Sequence, residues 1–329
     1  MFGQDIRPEI LRKEYNNLRF EAAIKMAKQK NEFVYVNCPA CGLGEYKKNF
    51  EKEGFDFVSC NSCETLFVNP RPISKMLHGF YKDSECFNFW SKIFIVSEEA
   101  RRKHIFYPRV SRVREICLKY NQKNDALLDV GAGYGIFCEE IQKIKLFKSV
   151  IALEPSQEFA KMCRKKGLEV IEEFIENVKL DNGVDVITSF ELIEHLFDPK
   201  LFLKKCSEIL KKDGMLILTT PNIKGFDLDL LGRLSDNIVA PNHINYFNIQ
   251  SLTLLLNACG FEVLEVTTPG SLDAEMVRNS VLSGELDITD NKFLKHVLLD
   301  NWGELGESFQ KFISMNLLSS HMQIVAKKC

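Results

Sequence analysis

The chain has 329 residues, enough for one full α/β domain and a smaller appendage. A hydrophobic fraction of 45% with 27% charged residues is ordinary for a globular protein, and a formal net charge of −2 argues against an extended nucleic-acid surface. No apolar run approaches the roughly 18–20 residues of a membrane span, and Asp5, Arg7, Glu9, Arg12, Lys13 and Glu14 leave no apolar core for a signal peptide, so the expected location is the cytoplasm.

Residues 1–32 are expected to hold one helix, its pattern running from about residue 5 to 30, with Ile10, Leu11, Leu18, Ala22 and Met26 among charged neighbours. Residues 33–72 carry Cys38-Pro39-Ala40-Cys41-Gly42 and, with eighteen residues between Cys41 and Cys60, Cys60-Asn61-Ser62-Cys63. Two CxxC pairs at this separation predict a zinc ribbon, in which four thiolates from two tight turns complete a tetrahedron and leave no open position for catalysis. A pair of disulfides or unliganded core cysteines is the alternative; the other seven of the 11 cysteines are scattered singly, as in a reducing compartment. Phe33–Val36 and Phe55–Val58 read as flanking strands. Lys47, Lys48 and Lys52 are the few basic residues with which such a ribbon would meet nucleic acid. Residues 73–124 read as helical and aromatic, with Phe80, Tyr81, Phe87, Phe89, Trp90, Phe94, Phe106 and Tyr107. Each of these is an ordinary core residue unless the segment lids a ligand, in which case Tyr81, Trp90 or Arg101 touches it.

A Rossmann-like domain is expected over 125–329. Its first strand, Ala126–Val130, runs into Gly131-Ala132-Gly133-Tyr134-Gly135 and then an apolar helix start. Glycines there let the backbone take unusual angles and approach a ligand closely, and the helix beyond them offers free N–H groups. The spacing is GxGxG and not the GxGxxG of dinucleotide sites. The second strand, Val150–Leu153, ends in Glu154-Pro155, an acid about 20 residues past the glycines, where a carboxylate accepts from both hydroxyls of a ribose. An NAD-type unit, or a turn with no ligand, is the alternative reading of these residues alone. Together with the downstream motifs they resemble the class I S-adenosylmethionine (SAM)-dependent methyltransferases. That resemblance implies a sheet of order 3-2-1-4-5-7-6 with the last strand antiparallel. It implies SAM contacts at Asp129, Gly131, Ala132, Gly133, Gly135, Glu154 and Pro155, with adenine contacts after the third strand at Glu173 and Phe174 and further contacts at Ser189 and Phe190.

The fourth strand, Val184–Phe190, is followed by Glu191-Leu192-Ile193-Glu194-His195. It lacks the Asn/Asp-Pro-Pro-Tyr/Phe turn common in base N-methylases. Positions i, i+3 and i+4 share a helical face, so two carboxylates and an imidazole are expected to converge at the carboxyl end of the sheet. The ExxEH pattern resembles that of ubiquinone-pathway O-methyltransferases and small-RNA 2′-O-methyltransferases. In those families it ligates a divalent ion that a later histidine completes, here His243 in Pro241-Asn242-His243-Ile244-Asn245-Tyr246-Phe247. Oxygen-rich ligands with one or two imidazoles suit Mg²⁺ or Mn²⁺. The alternative is acids that favour a helix N-terminus, with His195 paired to Glu191 or acting as a base. The catalytic candidates are therefore Glu191, Glu194, His195 and His243.

Strand five is Met215–Thr220, strand six Phe261–Val266 and strand seven His321–Lys327, with 268–318 between the last two read as a helical insert. The whole order resembles bacterial methyltransferases of surface-polysaccharide and sugar pathways. It implies methyl transfer to a hydroxyl of a small-molecule or sugar-type acceptor. Sugar C-methylation, an RNA methyltransferase that uses the ribbon as a reader, and a SAM-binding scaffold without activity are the alternatives.

Overall fold

The computed structural model describes residues 9–329, the side chains of Glu9, Asp83 and Phe87 excepted. Of the expected N-terminal helix, Glu9–Ala27 (α1) is helical, and its first residues, 5–8, lie outside the described residues.

The organising strand is β4 (Ala126–Val130). Leu127, Leu128 and Val130 are buried on both faces, the pattern of an interior parallel strand. It pairs in parallel with β5 (Ser149–Leu153) on one side and β7 (Val184–Phe190) on the other. The sheet continues through β6 (Glu169–Ile171) beyond β5 and β8 (Leu210–Pro221) beyond β7. It closes with β11 (His321–Lys328), antiparallel between β8 and β10 (Phe261–Thr267). The seven-strand order β10-β11-β8-β7-β4-β5-β6 is the methyltransferase order, its last strand reversed. Helices Ile136–Lys143 (α5), Gln157–Lys165 (α6), Pro199–Ile209 (α7) and Ile249–Ala258 (α9) are among those that cover it. One polar side chain interrupts the apolar run of β4. Asp129 is buried, and it is satisfied by Thr188 Oγ1 at 2.7 Å and by the Cys138 thiol at 3.5 Å.

The cysteine pairs sit on β1 (Tyr46–Lys52), β2 (Phe55–Cys60) and β3 (Leu66–Val68), an antiparallel sheet whose fourth strand, β9 (Asn245–Tyr246), comes from far along the chain. The strand expected at Phe33–Val36 reduces to one bridge, Val34 to Arg71, because Pro70 and Pro72 on the facing segment cannot donate to a ladder. Cys38, Cys60 and Cys63 belong to the same apolar core as Phe247, Leu252, Leu255 and the sheet residues Leu128 and Ile187.

The segment before β4 forms Ser74–Asp83 (α2), Glu85–Val96 (α3), a turn of helix at Glu98–Arg101, a π-helical turn over Arg102–Phe106, and Tyr107–Lys119 (α4). Phe94 of α3 stacks on Tyr134 of the glycine turn at 4.5 Å, and Tyr134 packs on Phe159 at 4.5 Å, so this segment rests on the turn. After β8 comes the short helix Phe226–Leu231 (α8). The 268–318 segment contains Asp273–Leu282 (α10) and Trp302–Met315 (α11), and with Leu231 it buries Ala274, Val277, Leu298 and Ile313 in a cluster of its own. Buried Asp273 ties it to β11 by accepting from Ser319 Oγ at 2.8 Å and from the Ser320 N–H at 2.7 Å.

Gly135, at φ +70°, opens α5, and a Cβ there would lie 2.7 Å from Leu168 Cδ1 and 2.8 Å from Cys163 Sγ. Both the left-handed backbone and the clash act against any side chain. Gly135→Ala is expected to destabilise the fold by about 2–4 kcal/mol, read as a lower urea midpoint at unchanged slope.

Candidate functional site

The carboxyl ends of β4, β5, β7 and β8 open into one cleft of about 2670 Å³. Pockets for one small ligand run to roughly 300–1,000 Å³, so this one has room for a cofactor and a second molecule. It is lined by Asp129, Gly131, Ala132, Gly133, Glu154, Pro155, Glu173, Phe174, Phe190, Glu191, Glu194, His195 and His243 among the residues expected from sequence, and by Tyr81, Trp90 and Arg101 from the helices before β4. Gly135 and Ser189 do not line it. Gly135 faces Leu168 and Cys163 behind the turn, and Ser189 points to the opposite side of β7 from its neighbours, with its hydroxyl buried.

At one end of the cleft Gly131 and Gly133 take φ of +77° and +53°. A Cβ on Gly133 would meet nothing within 4 Å, so the backbone there borders open space. Glu154 stands across from it, accepting from Gly133 N–H at 2.8 Å and Ser156 N–H at 2.9 Å. Burial pushes its carboxyl up to about 7. The Asp129 carboxyl is likewise raised by burial, to about 6. The bare glycine backbone and a buried carboxylate with free lone pairs fit the ribose and methionine parts of a nucleoside cofactor. Phe174 stacks with His78 of α2 at 4.6 Å, closing the cleft beyond Glu173.

The helical face expected for ExxEH is not formed. Glu191 is left-handed at φ +53°, and only Ile193–His195 makes a short 3₁₀ turn. The motif therefore splits. Glu191 turns toward β8 and β11, where Thr219 Oγ1 donates to it at 2.6 Å, His321 Nδ1 lies 3.4 Å away and Arg109 Nη2 3.9 Å away. Burial pushes the Glu191 carboxyl up, but His321, Arg109 and Thr219 more than offset it and hold it below the usual range. Glu191 thus brings no ligand atom to the close cluster it was expected to join, although its charge still acts on Glu194 and His195.

Glu194, His195 and His243 do converge, with one ligand atom from each within 4.8 Å of the others. Glu194 is fully buried; its Oε2 accepts from Thr220 Oγ1 at 2.9 Å and its Oε1 has no hydrogen-bond partner. Burial first, and then the nearby Glu191 charge, push this carboxyl well up. His195 Nδ1 lies 2.6 Å from the Asn242 carbonyl, to which the Tyr81 hydroxyl also donates at 2.6 Å. His243 Nδ1 lies 3.0 Å from the Asn237 carbonyl. A carbonyl can only accept, so both imidazoles carry their proton on Nδ1 and keep the Nε2 lone pair. That is the arrangement found behind metal-bound histidines. His195 Nε2 lies 3.8 Å from Glu194 Oε1, and the two imidazole centroids are 4.7 Å apart.

Arg109 and His321 were not singled out in the sequence. Arg109 comes from α4, and its guanidinium covers Phe190 at 4.7 Å; His321 opens β11. Neither has a local motif, and both reach the cleft only through the tertiary fold.

At the ribbon, the four cysteine Sγ atoms lie within 4.8 Å of one another, with Cys38–Cys63 at 3.4 Å and Cys41–Cys60 at 3.5 Å. Disulfide sulfurs are about 2.05 Å apart, whereas tetrahedral Zn–S bonds of about 2.3 Å set the sulfurs about 3.8 Å apart. The cluster therefore fits Zn²⁺ and does not fit two disulfides. Gly42, at φ +77°, closes the first knuckle with its N–H on the Cys38 carbonyl at 2.9 Å.

Two outcomes follow. Purified protein should carry one zinc per chain by elemental analysis, and Cys60→Ser should carry less than a tenth of that. If Glu154 holds the ribose as the resemblance implies, binding of SAM should strengthen about tenfold per pH unit up to pH 7 and level off above it, since only the ionised carboxylate accepts from two hydroxyls while holding its two backbone donors. Calorimetry at several pH values reads this directly, and Glu154→Gln should bind more weakly with a flat profile.

Residues 101–266 match the family model described as "Methyltransferase domain". A ubiquinone biosynthesis O-methyltransferase from Bradyrhizobium diazoefficiens is 32% identical over 114 residues, covering 32% of this chain and 44% of that protein. A probable S-adenosylmethionine-dependent methyltransferase from Mycobacterium tuberculosis is 31% identical over 138 residues, covering 41% of this chain and 48% of that protein. The chain thus spans less than half the length of these two relatives. Among solved structures, a SAM-dependent methyltransferase from Thermotoga maritima, described as a possible histamine N-methyltransferase, aligns with a TM-score of 0.49 at 21% identity, over 77% of this chain and 99% of that one. With its family model spanning half of its length, the chain belongs to the methyltransferase domain family.

Proposed function

We propose that this chain transfers a methyl group from SAM to a hydroxyl of a small, sugar-type acceptor, with Glu194, His195 and His243 at the reacting centre. The observation that carries the reading is the buried, half-satisfied Glu194 carboxylate facing two imidazoles of fixed tautomer, in the same cleft as the glycine turn. The names of the ubiquinone-pathway relatives support transfer to oxygen.

In this reading Asp129 fixes the turn after β4, Gly131–Gly133 lie along the methionine part of the cofactor, Glu154 holds the ribose, and Phe174 with His78 borders the adenine. Arg109, half-buried over Phe190 at the end of β7, faces the methionine carboxylate. Bound SAM supplies an already activated sulfonium methyl, so positioning carries much of the rate. Tyr81 and Asn242 hold His195 so that its Nε2 lone pair faces the acceptor hydroxyl and takes its proton. Alternatively, the same Glu194, His195 and His243 atoms form a donor set for a divalent ion, in which case the His195 Nε2 lone pair would be on the ion and would not take the proton. With Glu191 turned away the set is two nitrogens and one oxygen, which favours Mn²⁺ or a neighbouring transition ion over Mg²⁺. Such an ion would lower the pKa of a hydroxyl held beside it.

The observations do not favour the RNA reading. Of the three ribbon lysines, Lys48 is paired with Asp56 at 2.6 Å and Lys52 donates to the Ser235 carbonyl at 2.7 Å.

The test is a transfer assay with SAM carrying a labelled methyl, against host extract split into RNA, protein and small-molecule plus glycan fractions. Label is expected in the small-molecule or glycan fraction; label confined to RNA overturns the acceptor class. His195→Ala is expected to lower turnover at least 100-fold with SAM affinity within about threefold. Near-normal turnover would remove His195 from the mechanism.

A further inference from the structure

The zinc ribbon and the Glu194–His195–His243 group are joined by one short stretch, residues 243–248, in which Ile244 and Asn245 are held from both sides. Ile244 follows His243. Its N–H donates to the Glu194 carbonyl at 3.0 Å, and its own carbonyl accepts from Val68 N–H of the ribbon at 3.0 Å. Asn245 pairs with Phe67 of β3, while its buried side-chain Nδ2 donates to the Leu196 carbonyl at 2.7 Å. Tyr246 pairs with Leu66, and its hydroxyl accepts from Val239 N–H at 2.8 Å, which gathers the loop that carries His243. Asn248 Nδ2 then donates to the carbonyl of Cys63, itself one of the four thiolate residues, at 2.9 Å. On the other flank buried Arg71, leaving the ribbon, donates from Nη1 to the Phe197 carbonyl at 3.1 Å and from Nε to the Val68 carbonyl at 3.2 Å.

We propose that the ribbon is the positioning element of the reacting centre. The two cysteine knuckles fix β3, β3 is the template on which β9 forms, and β9 sets His243 against the Glu194–His195 turn. The physical reason is length. Strand β3 has three residues and β9 two, far too few to pair stably unaided. Their register holds only if the Cys60–Cys63 turn between β2 and β3 is held, and four thiolates on one ion hold it. Asn245 and Asn248 are positioning residues that act through backbone carbonyls and not on the acceptor. The claim about what the group does rests on the reading given under Proposed function; the claim that the ribbon sets its geometry does not.

Asn248→Ser is the discriminating variant. Serine still caps α9, where Asn248 Oδ1 now accepts from Ser251 N–H at 2.9 Å, but it is too short to reach the Cys63 carbonyl. Three properties of the full chain are read with its zinc in place: SAM affinity by calorimetry, Mn²⁺ affinity by electron paramagnetic resonance, and the ¹³C–¹H ring resonances of His195 and His243, with thermal melting recorded alongside. The variant is expected to keep one zinc per chain and SAM affinity within twofold. It should lose at least tenfold in Mn²⁺ affinity and in kcat, and both ring resonances should move. Unmoved rings with unchanged Mn²⁺ affinity overturn the proposal, since simple destabilisation leaves both intact in the folded fraction. If the unaltered chain binds no Mn²⁺, the metal reading fails alone and the ring resonances decide: movement upholds the positioning role, and none overturns it. Should the serine variant not fold, Asn248→Asp, which keeps length and cap but lacks the donor, gives the same reading.

Discussion

Three carboxylates, Asp129, Glu154 and Glu194, lie buried at the carboxyl ends of the parallel strands with a half-buried fourth, Glu191, beside them, and burying a carboxylate is costly unless donors or charges meet it. How each is met sorts them by role. Asp129 takes a hydroxyl and a thiol from the protein and is finished as a brace for the turn. Glu154 takes two backbone N–H groups, one of them from the glycine turn, and keeps lone pairs toward the cleft. Glu191 is met by Thr219, with His321 and Arg109 beside it. Glu194 is met on one oxygen only. The rest of the cleft follows from that gradient: one side completes its acids internally, and the other sides leave acceptor capacity facing the cleft.

The legible part of this arrangement was the part written within a few residues of chain. The GxGxG turn, Glu154 at the end of the next strand and the two CxxC knuckles each depend on local backbone geometry, and each stands where its spacing implied. The strand order was implied by the family resemblance that these motifs carry, with the late strand expected at 321–327 as its seventh, and the sheet has that order. What could not be read came from two sources. Arg109 and His321 enter the cleft from elements whose neighbours in sequence have nothing to do with it, and an arginine on an aromatic-rich helix or a histidine at a strand start carries no signal of its own. Glu191 was misplaced for a different reason. The i, i+3, i+4 rule presumes helix, and the chain at Glu191 adopts a left-handed residue that turns this one carboxylate onto Thr219 of β8 within the same cleft. Ser189 and Gly135 show the complementary error, in which a motif position is real but alternation along a strand, or packing behind a turn, aims it away from the ligand.

A cysteine-rich module at the start of a chain invites description as a separate reader. Its contacts here argue otherwise. Three of its four cysteines share an apolar core with the sheet and with α9, and its fourth strand belongs to the segment that carries His243. Its second knuckle turns the Cys63 carbonyl inward to Asn248. A short β-pairing of this kind has no alternative register of comparable stability, because moving it by one residue would swing Tyr246 out of the core and turn Asn245 away from the Leu196 carbonyl. The cysteine knuckles and the Glu194–His195–His243 group therefore belong to one mechanical unit, and loss of order at either end is felt at the other through six residues of chain.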